Sequence, residues 1–159
     1  MSEITVLIVD DVSQARNLTK MILSGLGVHQ VFTANDGCEA QEFLEASGAH
    51  VDLVVCDWRM PRMSGLELLK QIRTIHPKMP FIMVTGNADV ESVRAASELD
   101  VSAYIRKPYS PQQFEEKVVA VLDKMGAKSE PGRQIEDSKA TSESLRKKAR
   151  IESLRRIYS

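Results

Sequence analysis

Acidic, hydroxyl and ammonium side chains stand where short apolar segments of the sequence end. Asp10 and Asp11 follow the first apolar segment, and Asp57 follows the third. Thr85 is the last residue of the fourth, and Lys107 follows the fifth. Carboxylates act as nucleophiles toward phosphoryl groups and as ligands of hard cations, whereas hydroxyl and ammonium groups bind phosphate oxygens. These residue types therefore indicate phosphoryl chemistry assisted by a divalent cation.

Short apolar segments alternate with amphipathic segments up to about residue 125. The apolar segments are rich in Val and Ile, as buried parallel strands are, and comprise Ile4–Val9, Val28–Ala34, Val51–Cys56, Phe81–Thr85 and Ala103–Arg106. The amphipathic segments predict helices at Ser13–Ser24, Asp36–Ser47, Ser64–His76, Asp89–Leu99 and Ser110–Met125. This repetition predicts an α/β fold, a doubly wound parallel sheet of flavodoxin-like strand order 2-1-3-4-5 with five flanking helices.

In that strand order the first and third strands are neighbours, which brings three carboxylates together. Ligands bind at the carboxyl edge of such a sheet, near the point where the strand order reverses. We expect Asp10, Asp11 and Asp57 to converge there, and three ionised carboxylates at close range repel one another. A hard divalent cation relieves that repulsion, and a site with few protein ligands favours Mg²⁺. Asp57 is the candidate nucleophile.

Composition divides the 159 residues into two unlike segments. Hydrophobic residues make up 43%, which excludes a wholly disordered chain, and the net charge of −1 argues against a surface built to hold nucleic acid. Residues 1–125 carry 12 basic and 17 acidic side chains, whereas residues 126–159 carry 9 basic and 5 acidic. We expect a domain over residues 1–125, followed by a basic linker and tail that is partly disordered or weakly helical. Nucleic-acid binding is disfavoured for the domain and left open for the tail.

The cellular compartment is predicted from the cysteines and the hydropathy. Cys38 and Cys56 are too few for a disulfide framework or an unaided zinc site. No apolar stretch approaches the length of a membrane span, and the first apolar segment is too short for a signal-peptide core. We therefore expect a cytoplasmic protein with reduced thiols.

Four motifs in this order carry a resemblance to a known family. They are Val9-Asp10-Asp11, the segment Cys56–Leu66, Met83-Val84-Thr85-Gly86 and Tyr104-Ile105-Arg106-Lys107-Pro108. Over about residues 3–125 the sequence resembles the response-regulator receiver domain of two-component systems, most closely the stand-alone chemotaxis receivers of the CheY type. The resemblance implies a signalling protein rather than an enzyme with an external substrate.

The resemblance also implies a role for each acidic residue. Asp57 would accept a phosphoryl group from a sensor histidine kinase, from a histidine phosphotransfer protein or from a small phosphodonor. Asp11, Asp57 and the backbone carbonyl of Arg59 would bind Mg²⁺ directly, and Asp10 would act largely through water.

A switch is implied by the remaining motif residues. Thr85 would donate a hydrogen bond to the phosphate, Lys107 would pair with it, and the Lys107–Pro108 peptide would be cis. Movement of Thr85 would let Tyr104 turn inward and change the face made by helix four, strand five and helix five. An effector protein would bind that face, in a pathway such as chemotaxis.

Two alternatives remain open at the level of sequence. A phosphatase with an aspartate nucleophile, of the haloacid dehalogenase type, usually has a second Asp two residues later, where this chain has Arg59. A DNA-binding regulator would have to use the basic tail. Arg59 and Asn87 also flank the expected pocket and leave the phosphoryl lifetime open. Asp100 stands where receivers often have Gly, and Asp tolerates a left-handed backbone better than most residues.

Overall fold

Five parallel strands form one sheet in the order 2-1-3-4-5 in the computed structural model, which describes residues 4–46, 50–86 and 90–128. The strands are β1 (Thr5–Val9), β2 (Gln30–Ala34), β3 (Leu53–Asp57), β4 (Phe81–Thr85) and β5 (Ala103–Arg106). The helices are α1 (Ser13–Gly25), α2 (Gly37–Ala46), α3 (Gly65–Ile75), α4 (Val90–Glu98) and α5 (Pro111–Lys128). The predicted fold class, strand order and five helices are confirmed.

The sheet buries its central strands more completely than its edges. Every residue of β1, β3 and β4 is buried, as their unbroken apolar sequences predicted. The edge strand β2 differs, because it pairs with a neighbour on one side alone and leaves Phe32 44% exposed. Cys56, inside β3, is fully buried, and this burial raises the pKa of its thiol well above the ordinary value. It therefore acts as a small apolar residue of the core.

Arg73 on α3 joins three separate segments through its guanidinium group. Nε donates to the carbonyl of Leu99 at 2.7 Å, Nη1 to that of Met79 at 2.7 Å and Nη2 to that of Asp100 at 3.0 Å. Asp100 has a φ of 58°, so its left-handed backbone agrees with the prediction for this position. The end of α3 is thus tied to the loop before β4 and to the turn that follows α4.

The chain divides into two units, Met1–Pro108 with the sheet and α1–α4, and Tyr109–Ser159 with α5. The start of α5 is a reciprocal cap, in which the backbone N–H of Gln113 donates to Ser110 Oγ at 3.1 Å and that of Ser110 donates to Gln113 Oε1 at 2.9 Å. The sequence predicts one apolar face on this helix, of which Phe114, Val118, Val121 and Leu122 are buried and Met125 is half-buried.

Two sequence predictions concern residues that the structure does not describe. The predicted tail lies outside the described residues from residue 129 onward, and Asn87 lies outside them as well. The predicted domain boundary near residue 125 stays a prediction. Across the described ranges, no helix has the length and apolar character needed to cross a membrane.

Candidate functional site

Three carboxylates converge at the carboxyl edge of the sheet. Because β1 and β3 pair in parallel, with Val9 opposite Cys56, the residues that follow these two positions emerge side by side. One carboxylate oxygen from each of Asp10, Asp11 and Asp57 lies within 4.8 Å of the others. Asp10 and Asp57 are buried, while Asp11 is exposed. The cluster therefore opens to solvent on the side of Asp11.

Asp10 is held in place through its backbone and its side chain. Its N–H donates to the carbonyl of Ala34 at 3.1 Å, and its Oδ1 accepts the N–H of Val12 at 2.9 Å. Its own carbonyl accepts Nη1 of Arg16 at 2.7 Å. Sequence reasoning did not identify Arg16, whose spacing from Asp10 predicted no more than a place on the first turns of α1. These contacts fix the direction in which the Asp10 carboxylate points.

Lys107 supplies a positive charge to the cluster. It follows β5, and its Nζ lies 3.1 Å from Oδ1 of Asp57 and 3.9 Å from Oδ2 of Asp10. Its backbone N–H donates to the carbonyl of Thr85 at 2.7 Å, which holds this residue at the edge of the sheet. The Lys107–Pro108 peptide is cis, as predicted.

Thr85 and Tyr104 lie on the two strands beyond β3. Asp57 is opposite Val84, so Thr85, the next residue of β4, belongs to the same sheet edge, and it is buried. Tyr104 lies on β5 opposite Met83, packs partly buried against the core and has a buried hydroxyl oxygen. One edge of the sheet therefore carries the predicted site residues that end or follow four strands, whereas Tyr104 lies two residues before the position opposite Thr85.

Negative charge dominates the electrostatics of this site. Burial raises the pKa of Asp57, and the charges of Asp10 and Asp11 add to that effect, whereas Lys107 opposes it. The pKa of Asp10 is also raised, mainly by burial, against the N–H of Val12 and the charge of Lys107. A single ammonium does not offset the cluster. The hard oxygen donors and the remaining negative charge fit a divalent cation such as Mg²⁺.

A scan against protein-family models matches residues 6–119 to the response regulator receiver domain. The chain belongs to this family. The receiver domain is 40% identical over 118 residues to chemotaxis protein CheY1 of Helicobacter pylori, covering 73% of this chain and 94% of that protein. Identity to the CheY homologue of Campylobacter jejuni is also 40% over 118 residues, covering 73% and 90%.

Solved structures agree with this assignment. A CheY-like receiver domain protein from Methanospirillum hungatei superposes with a TM-score of 0.73 at 32% identity, covering 80% of this chain and 99% of that one. CheY4 of Vibrio cholerae, a chemotaxis protein, gives a TM-score of 0.65 at 28% identity, covering 77% and 98%. The receiver domain is thus of the CheY type found in two-component signalling. Receiver domains bind Mg²⁺ at an acidic pocket, and the Asp10, Asp11 and Asp57 cluster is the matching pocket here.

A further ion pair near the site was not predicted from the sequence. Asp36 caps α2 by accepting the N–H of Glu39 at 2.8 Å with Oδ1, and its Oδ2 accepts Nε of Arg62 at 3.0 Å together with Nη2 of the same residue. The hydrogen bond from the N–H of Glu39 is the main cause that lowers the pKa of Asp36, and the hydrogen bond from Arg62 lowers it further. The pair joins residues 26 apart in sequence. The one local signal was an arginine directly after Pro61, in the loop that follows Asp57.

Proposed function

We propose that the receiver domain accepts a phosphoryl group on Asp57 from a histidine kinase or a histidine phosphotransfer protein, and that this modification controls binding of a partner protein. The observation that carries the proposal is the convergence of Asp10, Asp11 and Asp57 beside Lys107, whose Nζ lies 3.1 Å from Asp57. A kinase-independent transfer from small phosphodonors uses the same residues. The free thiols of Cys38 and Cys56 support a cytoplasmic location for this activity.

The proposed transfer is a single displacement at phosphorus. A carboxylate oxygen of Asp57 forms the new P–O bond, the P–N bond to the donor imidazole breaks, and its electron pair returns to that ring. Lys107 stabilises the charge of the phosphoryl oxygens, since its ammonium already contacts Asp57. Thr85, at the end of β4, donates a hydrogen bond from its hydroxyl group to the same oxygens.

The residues proposed to hold Mg²⁺ are Asp11, Asp57 and the backbone carbonyl of Arg59, with Asp10 acting largely through water. All of these donors are oxygens, which is the chemistry that Mg²⁺ requires. Mg²⁺, when bound, neutralises charge on the phosphoryl oxygens. The N–H of Val12 already orients the Asp10 carboxylate and Arg16 binds the Asp10 backbone carbonyl, so this member of the donor set is held in place beforehand.

Signalling requires that the new charge on Asp57 changes a binding surface. We propose that Thr85 moves toward the phosphate and that Tyr104 changes its packing in response. The Tyr104 ring, half-buried against the core, is a side chain whose rearrangement alters the surface of β5. Effector binding through helix four, strand five and helix five, and a role in chemotaxis, remain predictions supported by the CheY relatives.

Phosphorylation from a small donor tests the proposal directly. Full-length protein with acetyl phosphate and Mg²⁺ is expected to gain the mass of one phosphoryl group and to change the emission of Trp58, which directly follows Asp57. The matched control is Asp57→Asn, which keeps the shape of the side chain and removes the nucleophile. An unmodified wild type, or the same mass gain in the control, would contradict the proposal.

Neither alternative function gains support from the described residues. A phosphatase of the haloacid dehalogenase type usually has an Asp two residues after the nucleophile as the acid. Arg59, which is exposed at that position, carries a guanidinium that stays protonated and does not act as that acid. A DNA-binding role depends on the tail, which lies outside the described residues beyond residue 128.

A further inference from the structure

We propose that the ion pair between Arg62 and Asp36 positions the loop after β3, residues 58–64, so that its backbone can bind Mg²⁺. In this role Arg62 is a positioning residue rather than a ligand. The inference rests on the proposed function, because the Arg59 carbonyl is assigned there as a donor to Mg²⁺. It adds the Arg62–Asp36 contact, which the resemblance did not include, to the contacts that shape the site.

The loop is closed at its base by backbone hydrogen bonds. The N–H of Trp58 donates to the carbonyl of Val84 at 2.8 Å, and the N–H of Gly65 donates to the carbonyl of Trp58 at 2.8 Å. Within the loop, the N–H of Met63 donates to the carbonyl of Pro61 at 2.8 Å and makes a tight turn. These bonds fix the two ends of the loop, so its middle depends on contacts with other elements.

Arg62 holds the middle of the loop in a conformation that is unfavourable for its residue type. Its φ is 67°, in the left-handed region that L side chains rarely adopt. Such a conformation persists where the surroundings impose it. Here two guanidinium nitrogens of Arg62 contact one oxygen of Asp36 on another element. Asp36 is buried and is fixed in turn by the N–H of Glu39, so the partner of Arg62 is a rigid one.

A second contact connects the same loop to the start of α2. A Cβ added at Gly37 would lie 2.9 Å from both Cβ and Cγ of Met63. Two consecutive residues of the helix start, Asp36 and Gly37, therefore contact two consecutive residues of the loop, Arg62 and Met63. The position of the loop is consequently set by α2 as well as by the strand and helix that the loop connects.

The positive charge of Arg62 and its contact with Asp36 predict opposite effects of removing Arg62 on Mg²⁺ binding. The guanidinium is a cation in a loop that begins next to three carboxylates, so Coulomb's law alone predicts tighter Mg²⁺ binding after its loss. Without the contact to Asp36, the loop would hold the Arg59 carbonyl less often in the position that binds Mg²⁺. The positioning role therefore predicts weaker Mg²⁺ binding. The sign of the change therefore separates the two roles.

The test is a Mg²⁺ titration of the unphosphorylated full chain, followed by Trp58 emission and by calorimetry. Arg62→Asn is the informative variant, because Asn tolerates a left-handed backbone while lacking the guanidinium. We expect Mg²⁺ binding to weaken roughly three- to tenfold, at or below the usual range for loss of a residue that orients a metal ligand. Arg94→Asn, which removes an exposed arginine on α4, is the matched control and is expected to bind Mg²⁺ no more weakly than wild type.

A double-mutant cycle tests whether Asp36 is the partner through which Arg62 acts. Asp36→Asn keeps a side chain that caps helices well and removes the charge. The double variant Asp36→Asn/Arg62→Asn is expected to bind Mg²⁺ within twofold of Arg62→Asn alone. Additive losses would contradict the pairing.

Two outcomes distinguish failure of this inference from failure of the proposed function. Unchanged or tighter Mg²⁺ binding by Arg62→Asn, with a normal wild type, overturns the positioning role alone. A wild type that binds no Mg²⁺ overturns the proposed function and this inference with it. If thermal unfolding shows that Arg62→Asn is not folded, Arg62→Lys replaces it. Because the ammonium keeps the charge, Coulomb's law predicts unchanged Mg²⁺ binding, whereas loss of the two-nitrogen contact predicts weaker binding.

Discussion

Asp57 occupies a position where its charge is costly to the folded protein. Burial raises the pKa of Asp57 and is the largest cause, Lys107 opposes it, and the neighbouring charges of Asp10 and Asp11 add smaller increases. A carboxyl whose pKa is raised on folding destabilises the native state above that pKa, and the penalty is absent below the pKa of the unfolded chain. The ionised Asp57 side chain therefore lowers the stability of the folded protein in the absence of a cation.

Asp57→Asn is accordingly expected to be more stable than wild type at pH 7 in the absence of divalent ions. The gain is of the order of 1 kcal/mol, a usual size for one substitution. It shrinks as the pH falls toward about 4, where the wild-type carboxyl takes up a proton in both states. Urea unfolding from pH 4 to pH 8 in EDTA measures this difference.

Addition of Mg²⁺ provides the control for that prediction. Mg²⁺ stabilises the wild type by mass action and is expected to reduce or reverse the advantage of Asp57→Asn. An advantage that is constant over the whole pH range would contradict an electrostatic origin.

At the scale of elements, the loop after β3 leaves no room for a side chain at the start of α3. A Cβ added at Gly65 would lie 2.4 Å from the carbonyl oxygen of Asp57 and 3.1 Å from Cα of Trp58. Both contacts are with backbone, which cannot turn aside as a flexible side chain can. Because of this close approach, α3 begins directly beside the backbone of Asp57.

Gly65→Ala is expected to destabilise the protein by roughly 1–3 kcal/mol, as overpacking of a tight site does. Gly126→Ala is the matched control, because a Cβ there meets nothing within 4 Å and α5 continues through this residue. Alanine's better helix propensity predicts a gain of about 0.5–1 kcal/mol for the control. Thermal and urea unfolding measure both changes, and equal effects of the two substitutions would argue against the steric cause.

Most element positions followed from the sequence, while the contacts between loops did not. The continuous apolar segments, which burial on both faces of the sheet imposes, predicted the ends of each strand to within two residues. The left-handed turn at Asp100 was predicted because Asp tolerates that backbone. The positive φ at Arg62 was not predicted, because arginine carries no local signal for that backbone and its partner Asp36 lies 26 residues away in the sequence. The convergence of Asp10, Asp11 and Asp57 was predicted from strand ends, whereas the contact of Arg16 with the Asp10 carbonyl was not.

At the scale of the whole molecule, charge is distributed unevenly along the chain. Residues 1–125 carry a net charge of −5, and residues 126–159 carry +4. Four basic side chains stand close together in the second segment, namely Arg146, Lys147, Lys148 and Arg150. Such a cluster attracts phosphates without selecting a sequence, and its effect falls steeply with salt.

The DNA-binding alternative predicts that the full chain binds duplex DNA weakly at low salt. Deleting residues 129–159, which leaves α5 whole, is expected to abolish this binding. Each phosphate neutralised by a basic side chain contributes roughly −0.9 to the slope of the logarithm of the binding constant against the logarithm of salt concentration. Contacts by the four clustered residues alone predict a slope of about −4. Fluorescence anisotropy with both proteins measures it, and equal binding by the deleted chain would assign the contact to the acidic receiver instead.

The guanidinium of Arg73 has a mechanical consequence for α4. By binding the carbonyls of Leu99 and Asp100, it fixes the carboxyl end of this helix to α3. The amino end of α4, at Val90, follows Thr85 by five residues in the sequence. Because Arg73 fixes the other end, we expect any displacement of the amino end to be a rotation about Arg73 rather than a translation of the helix. In such a movement Arg73 would be the fixed point and α4 the element that rotates.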